Sequence, residues 1–273
     1  KFKYIRNYQP FNVDGLYNFY RYKMLAYKEW YNLFHDGKLN EVQSQFFRPR
    51  KPEALYNIVE DPHEINNLAN DKNYNKTLID LRTELNDHLV SINDLSFLPE
   101  PHLLNNGLDD IVAYSEKNKD LIKRLIEISD LSLYDYADVS TQIKDALVDE
   151  NPWVRYWGLI VNSTFGNKGI ENKDEINLIF ENDSENLVRI RAAEFMMLNN
   201  LEISESKINS LLSGSTQEAE VNLMLNTLAN VKTINPNYKL NLNKEVFPEN
   251  WLPPIRNENA LVNRRMNYLT ENE

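Results

Sequence analysis

The feature that most constrains this chain is a Val-Arg pair behind an acidic turn, which occurs twice. Val154-Arg155 follows Asp149-Glu150-Asn151-Pro152, and Val188-Arg189 follows Asn182-Asp183-Ser184. From 154 to 188 is an interval of about 34 residues, the size of a repeated helix pair. Val221 stands about one interval further on, with Leu223, Leu225 and Leu228 completing an apolar face. A shorter apolar segment precedes each copy: Ile143 with Leu147, Ile176 with Phe180, and Ile208 with Leu212. The pattern predicts an all-α second half in which each helix pair buries its apolar stripe against the next. Asn222 replaces the arginine in the third copy, which marks a terminal, capping repeat. Arg155 and Arg189 are expected to pair with a turn carboxylate, Asp149 or Asp183, as part of the stacking.

The first hundred residues read differently. Lys1–Tyr8 alternates as a half-buried strand, and Pro10 ends it by withholding a ladder N–H. Asp14 is placed to cap a helix on which Leu16, Tyr20, Met24, Tyr27, Tyr31 and Phe34 recur, with Gly37 as its stop. So aromatic a stripe has two readings, core packing or a sugar-stacking platform, and core is the ordinary role of such rings. A second strand is expected over Ala54–Val59. Asp61-Pro62-His63-Glu64 has the make-up of a capped helix start, with Leu68 as the anchor of a short helix. Leu78, Leu81, Leu85 and Leu89 form the face of an amphipathic helix. Phe97-Leu98-Pro99-Glu100-Pro101 is expected to be an extended exit, because residues before proline avoid helix.

The expected fold class is α+β. A small antiparallel sheet with packed helices fills 1–101, an all-α repeat domain fills 102–235, and a tail follows over 236–273. In that tail Pro236, Pro248, Pro253 and Pro254 break any long helix. Val246, Phe247, Trp251, Leu252 and Ile255 are too apolar for free chain, so the tail is expected to pack on the repeats, with a last short helix over Ala260–Leu269.

Composition narrows the function classes. Seven glycines in 273 residues are few for a turn-rich β-sandwich. A net charge of −11 lacks the basic footprint of a nucleic-acid binder, and a polyanionic substrate would need a local basic pocket to offset that field. With no cysteine, disulfides, zinc–thiolate sites and a cysteine nucleophile are excluded. No apolar run reaches the length of a membrane span. The chain opens at Lys1 on a strand-like pattern without a visible signal peptide, and its natural N-terminus is expected to lie upstream.

Glu53–Asn70, EALYNIVEDPHEINNLAN, resembles the segment that closes the C-terminal subdomain of type I sulfatases, which use a formylglycine and calcium. Other stretches are similar to the bacterial group related to heparan N-sulfatase. KYIRNY resembles the strand entering the subdomain, and the helix ending in Trp30 before Gly37-Lys38-Leu39 resembles its middle segment. Gln45-Phe46-Phe47-Arg48-Pro49-Arg50 resembles the next strand entry, and Phe97-Leu98-Pro99-Glu100 the exit. The remainder resembles a HEAT-like extension, with Tyr134-Asp135-Tyr136 similar to its link. The resemblance implies a sulfatase C-terminal subdomain that partners a missing N-terminal sulfatase domain, acts on sulfated carbohydrate, and is periplasmic or extracellular. Calcium and formylglycine would belong to that missing domain. The sulfatase nucleophile motif, Cys or Ser followed at fixed spacing by Pro and Arg, is absent, so no catalytic residue and no metal ligand carries over.

The basic residues of the first hundred concentrate at Lys1, Lys3, Arg6, Arg48, Arg50 and Lys51. A guanidinium offers a planar fork of donors to a tetrahedral anion, so Arg6, Arg48 and Arg50 are the candidate substrate-binding residues. The competing role is a solvated strand edge or a salt bridge. His35, His63, His88 and His102 share no metal-ligand spacing. Asp109-Asp110 and Asp149-Glu150 lack the alternation of a calcium loop and suit helix caps. Two function classes stay open: the C-terminal part of a sulfatase, completing the fold and lining the substrate cleft, or a non-enzymatic HEAT-type interaction scaffold.

Overall fold

Two short runs of alternating side chains, Phe2–Arg6 (β1) and Glu53–Asn57 (β2), pair antiparallel, with Phe2 opposite Asn57 and Arg6 opposite Glu53. The structure, a computed structural model, describes residues 1–236, 238 and 240–270. Among these the rest is mostly helical. Helices α1 (Leu25–His35) and α2 (Glu41–Ser44) lie between the strands. After β2 come α3 (Asn75–Ser91), α4 (Glu100–Asn106), α5 (Ile111–Lys117), α6 (Lys119–Asp130), α7 (Tyr136–Leu147) and α8 (Pro152–Thr164). The chain continues through α9 (Lys173–Asn182), α10 (Asn186–Leu198), α11 (Glu205–Gly214), α12 (Glu218–Ile234) and α13 (Leu261–Thr270). None of the described helices is long and apolar enough to cross a membrane. The chain divides into two units, Lys1–Phe11 with Pro49–Thr164 and Asn12–Arg48 with Phe165–Glu273. Within the expected tail over 236–273, Asn237, Lys239 and 271–273 lie outside the described residues.

In the first unit, β2 has one edge on β1 and the other on the Asn67 side chain and the Leu68 main chain. Asn67 Oδ1 accepts from Leu55 N at 3.0 Å, Asn67 Nδ2 donates to Glu53 O at 3.2 Å, and Leu68 N donates to Leu55 O at 2.8 Å. That arrangement corrects the helix expected from Asp61. The Asp61 carboxylate instead accepts from Asn66 N at 2.7 Å, and Glu64 takes a left-handed conformation with φ 55° while its carboxylate meets Lys3 Nζ at 2.8 Å. A helix there would leave the strand edge bare of partners, whereas the turn brings Asn67 to it. The extended exit is also corrected. Pro99 is the N-cap of α4 and Pro101 stands in its first turn, where a missing N–H leaves no helical bond unmade.

The core of this unit gathers around Tyr8, Phe97 and Trp157, whose ring centroids lie 5.1 to 6.0 Å apart, and Trp157 Nε1 donates to Phe97 O at 2.8 Å. Leu55, Leu125 and Ile126 are fully buried in the same unit. Ile143 and Leu147, expected on a short helix, occupy the last turns of the longer α7, which packs on α8 and its buried Val154. Burying such a side chain completely contributes roughly 1.5–3 kcal/mol.

In the second unit the helix expected from Asp14 begins only at Leu25. Upstream, Asn18 Oδ1 accepts from the N–H groups of Tyr20 and Arg21 at 3.1 and 3.0 Å, and Arg21 Nη1 donates to Asp14 O at 2.8 Å. Gly15 N is held by Phe46 O at 2.9 Å. These bonds draw the backbone of 14–21 into turns that compete with a helix. The stop at Gly37 is as expected: its φ is +67°, Lys38 N reaches back to Leu33 O and Gly37 N to Phe34 O, which is a Schellman closure.

Further along, α10 packs on α9 and on α12, and α13 packs on α12. Ile176, Phe180, Val188, Ile208, Leu212 and Val221 are all buried, so the spacing read from sequence selects inward positions. The repeated arginines hold main-chain carbonyls. Arg155 Nη1 donates to Asp149 O and Glu150 O at 2.7 and 3.0 Å, and Arg189 Nε donates to Phe180 O at 2.9 Å. Carbonyls at a helix end and in a turn lack helical donors, and a cationic N–H fills that need well.

Candidate functional site

The second unit contains a cleft of about 900 Å³. Its walls come from the turn before α1, from α1 itself, and from α12, α13 and the segment joining them. Tyr27 and Tyr31 lie one turn apart on α1, so both rings project from one side. Tyr17 stacks on Tyr268 of α13 with centroids 3.9 Å apart and an interplanar angle of 14°. Tyr22 sits between these groups, 5.2 Å from Tyr17 and from Tyr27, 5.7 Å from Tyr31 and 5.9 Å from Tyr268.

The hydroxyls are partly anchored. Tyr27 Oη donates to Gly15 O at 3.1 Å, Tyr17 Oη donates to Arg264 O at 3.3 Å, and Tyr268 Oη lies 2.9 Å from Thr233 Oγ1. Burial raises the Tyr22 phenol far above its ordinary value, with the phenols of Tyr268, Tyr27 and Tyr31 adding to the effect. Burial likewise pushes Tyr268 up to about 12 and raises Tyr27. These phenols therefore stay neutral and able to donate at physiological pH.

Among the described residues the charged lining is of one sign: Lys23, Lys28, Lys232 and Arg264 line the cleft, and no Asp or Glu does. Lys23 Nζ stands 3.6 Å from the Phe19 ring centroid, and Lys28 is exposed. Lys232 Nζ donates to Tyr268 O at 2.5 Å, and the Arg264 guanidinium donates to Ile255 O and Asn257 O at 2.9 and 2.6 Å. Burial pulls the neighbouring Arg265 below its ordinary value, and the charge of Arg264 adds to the effect.

The arginines singled out from sequence fall elsewhere. Arg6 is buried, and every N–H of its guanidinium is engaged in the first unit. Nε donates to Asp130 Oδ1 at 3.1 Å, Nη1 to Asn7 O and Pro52 O at 2.9 Å, and Nη2 to Ser129 O and Ser132 Oγ at 2.8 and 2.7 Å. A guanidinium has five N–H donors, so none is left for a sulfate. Arg50, half-buried, donates from Nη2 to Gln9 O at 3.3 Å, while Arg48 is exposed and belongs to the second unit.

The histidines take packing and surface positions. His102 Nε2 lies 2.7 Å from Tyr114 Oη, its ring meets Trp153 at 4.6 Å, and burial lowers its pKa. His35 packs on Tyr31 at 4.3 Å, and His63 and His88 are exposed. No group of His, Cys, Asp or Glu that could hold a metal ion forms among the described residues. The cleft itself escapes a sequence reading because its tyrosines and cations come from both ends of the chain. The one local signal was the aromatic stripe of α1 with its sugar-stacking alternative.

One comparison bears on what the chain is. It is 44% identical over 106 residues to an ulvan-active sulfatase of Formosa agariphila, a match covering 38% of this chain and 18% of that protein. The chain thus contains a sulfatase-related region and spans less than a fifth of the length of the curated relative it matches. No protein-family profile matches the chain, and no solved structure does.

Proposed function

We propose that this chain is part of a sulfatase, a sulfuric ester hydrolase acting on sulfated carbohydrate, and that it completes the enzyme's fold without holding the catalytic centre. The observation that carries this reading is the 44% identity over 106 residues to the ulvan-active sulfatase. In this reading, 1–101 is a sulfatase C-terminal subdomain and its partner is the catalytic domain. The helix pairs α7/α8, α9/α10 and α11/α12 are HEAT-like repeats, and the enzyme works in the periplasm or outside the cell. The packing of α10 on both α9 and α12 supports the repeat reading.

Formylglycine and calcium, implied by the type I family, do not fit the residues of this chain. The sequence has no Cys or Ser followed at the family's spacing by Pro and Arg, and no metal-holding group forms among the described residues. Arg48 and Arg50 remain the candidates for contact with substrate, while Arg6 holds the fold.

The test is to express the whole reading frame that contains this chain in a host that makes formylglycine and to measure sulfate released from ulvan. Release by the whole protein and none by the 273-residue chain alone is expected. Sulfate release by the chain alone, or none by the whole protein from any sulfated glycan, overturns the proposal. In the active enzyme Arg48→Glu or Arg50→Glu is expected to raise KM about tenfold, through loss of a charge-assisted bond. An unchanged KM in both variants removes the arginines from the substrate site.

A further inference from the structure

We propose that the tyrosine-lined cleft of the second unit binds an anionic oligosaccharide, with sugar rings against its aromatic wall and sulfate groups on its lysines. The choice of a sulfated sugar over other anions rests on the sulfatase reading. The ring and charge chemistry rests on the cleft alone.

Three observations carry it. The first is the sign of the charges. The chain holds 41 acidic and 30 basic residues, yet among the described residues the cleft is lined by Lys23, Lys28, Lys232 and Arg264 and by no carboxylate. A cavity that reverses the charge of its own protein creates a local positive field, and low-dielectric walls concentrate such a field. Glu205 is one acidic group whose charge reaches the lining, where it adds to the effect of burial in raising Tyr238.

The second observation is the choice of aromatic residue. The wall is built from Tyr17, Tyr22, Tyr27, Tyr31, Tyr238 and Tyr268, with Phe19 beside them. Phenylalanine would serve a dry core equally well and would bring no hydroxyl to satisfy. Phenols are neutral at physiological pH and burial of Tyr22, Tyr238 and Tyr268 favours that form further, so the wall offers apolar ring faces together with neutral donors. A sugar, with C–H faces and hydroxyl edges, matches both properties.

The third observation is size and access. About 900 Å³ lies within the range of small-molecule sites and leaves room for more than one sugar unit. Lys23 and Lys28 are exposed, so their ammonium groups can meet a sulfate without first leaving a buried partner. A single-stranded nucleic acid would bring similar charge and rings of its own to stack, so it is the competing ligand in the test below.

The experiment titrates the 273-residue chain calorimetrically with ulvan oligosaccharides, with the same oligosaccharides after chemical desulfation, and with single-stranded DNA of matched charge. Binding of the sulfated sugar is expected, at least about tenfold tighter than of the desulfated sugar or the DNA. Lys23→Glu and Lys28→Glu are each expected to weaken it about tenfold or more while leaving the melting temperature unchanged. Tyr238→Ala is expected to weaken binding of sulfated and desulfated sugar alike, since it removes a ring and no charge. Absence of binding, equal binding of the DNA, or indifference to both lysine reversals overturns the inference. Failure here together with sulfate release by the whole enzyme removes the cleft and leaves the sulfatase reading standing. Cleft-dependent binding without sulfate release by the whole enzyme does the reverse.

Discussion

Arg6 Nε donates to Asp130 Oδ1 at 3.1 Å, a contact that ties the last residue of β1 to the last residue of α6 across 124 positions of sequence. The Arg6 side chain is 2% exposed, and its guanidinium also rests 4.7 Å from the Tyr8 ring centroid. Burial raises the Asp130 carboxyl above its ordinary value, and Arg6 offsets only part of that rise. Removing one member of such a pair leaves a buried charge and unpaired carbonyls. Arg6→Ala is therefore expected to destabilise the fold by about 3 kcal/mol in urea unfolding. Arg6→Lys keeps the charge but not the five-donor fork, and is expected to recover less than half of that loss. Full recovery by lysine would show that charge alone matters here.

Asn67 closes the free edge of β2 with one side chain that both accepts and donates. It also accepts from Ala69 N at 2.9 Å. Asn67→Ala leaves these main-chain groups without their partner, for an expected loss of about 1–3 kcal/mol. Asn67→Asp keeps the acceptor and loses only the donor to Glu53 O, so a smaller effect is expected. Amide exchange at Leu55 is the local readout: it should quicken in the alanine variant and change little in the aspartate variant. Equal exchange in both variants would contradict the edge role.

The second half of the chain was legible because its signal is local. A buried Val and a preceding apolar pair fix the inward face of a helix whatever packs there, and Ile143, Val154, Ile176, Val188, Ile208 and Val221 all proved buried. Residues 12–70 were less legible, for the opposite reason. Asp14 and Asp61 have the composition of helix caps, but Gly15 is held by Phe46 O and the edge of β2 recruits Asn67, and neither partner is near in sequence. Proline misled at 99–101, because the same residue that breaks a helix interior opens its first turn. Arg6 looked available for an anion because sequence shows a charge and not its neighbours.

On α10, Arg191 Nη1 donates to Glu194 Oε2 at 2.7 Å, with the side chains 6% and 1% exposed. Burial raises the Glu194 carboxyl above its ordinary value against the pull of Arg191. A carboxyl raised in the folded state favours folding most below its unfolded pKa, and that contribution is lost as pH rises through the folded value. Glu194→Gln should therefore flatten the stability profile over that interval, as read by thermal melts across pH. Glu194→Ala takes this carboxylate away from the buried Arg191 and is expected to cost about 3–5 kcal/mol, whereas replacing both residues with leucine should recover most of it. A double variant as unstable as the single one would show that the pair is needed for more than its own charge balance.

Asp61 shows the opposite sign at the surface. Its carboxyl lies below its ordinary 3.8, first because it accepts from Asn66 N, with a further N–H at Ile65 and the charge of His63 helping. A carboxyl lowered in the folded state supports it fully above the unfolded pKa, and the support is lost as pH falls through the lower folded value. The Asn66 amide proton is therefore expected to titrate at a pH below 3.8, with exchange quickening as the carboxylate is protonated. In Asp61→Asn, which keeps an acceptor without the charge, that titration should vanish while the turn survives. An Asn66 amide insensitive to pH in the wild-type chain would mean that the 2.7 Å bond does not set the turn, and the return of Asn67 to β2 would need another cause.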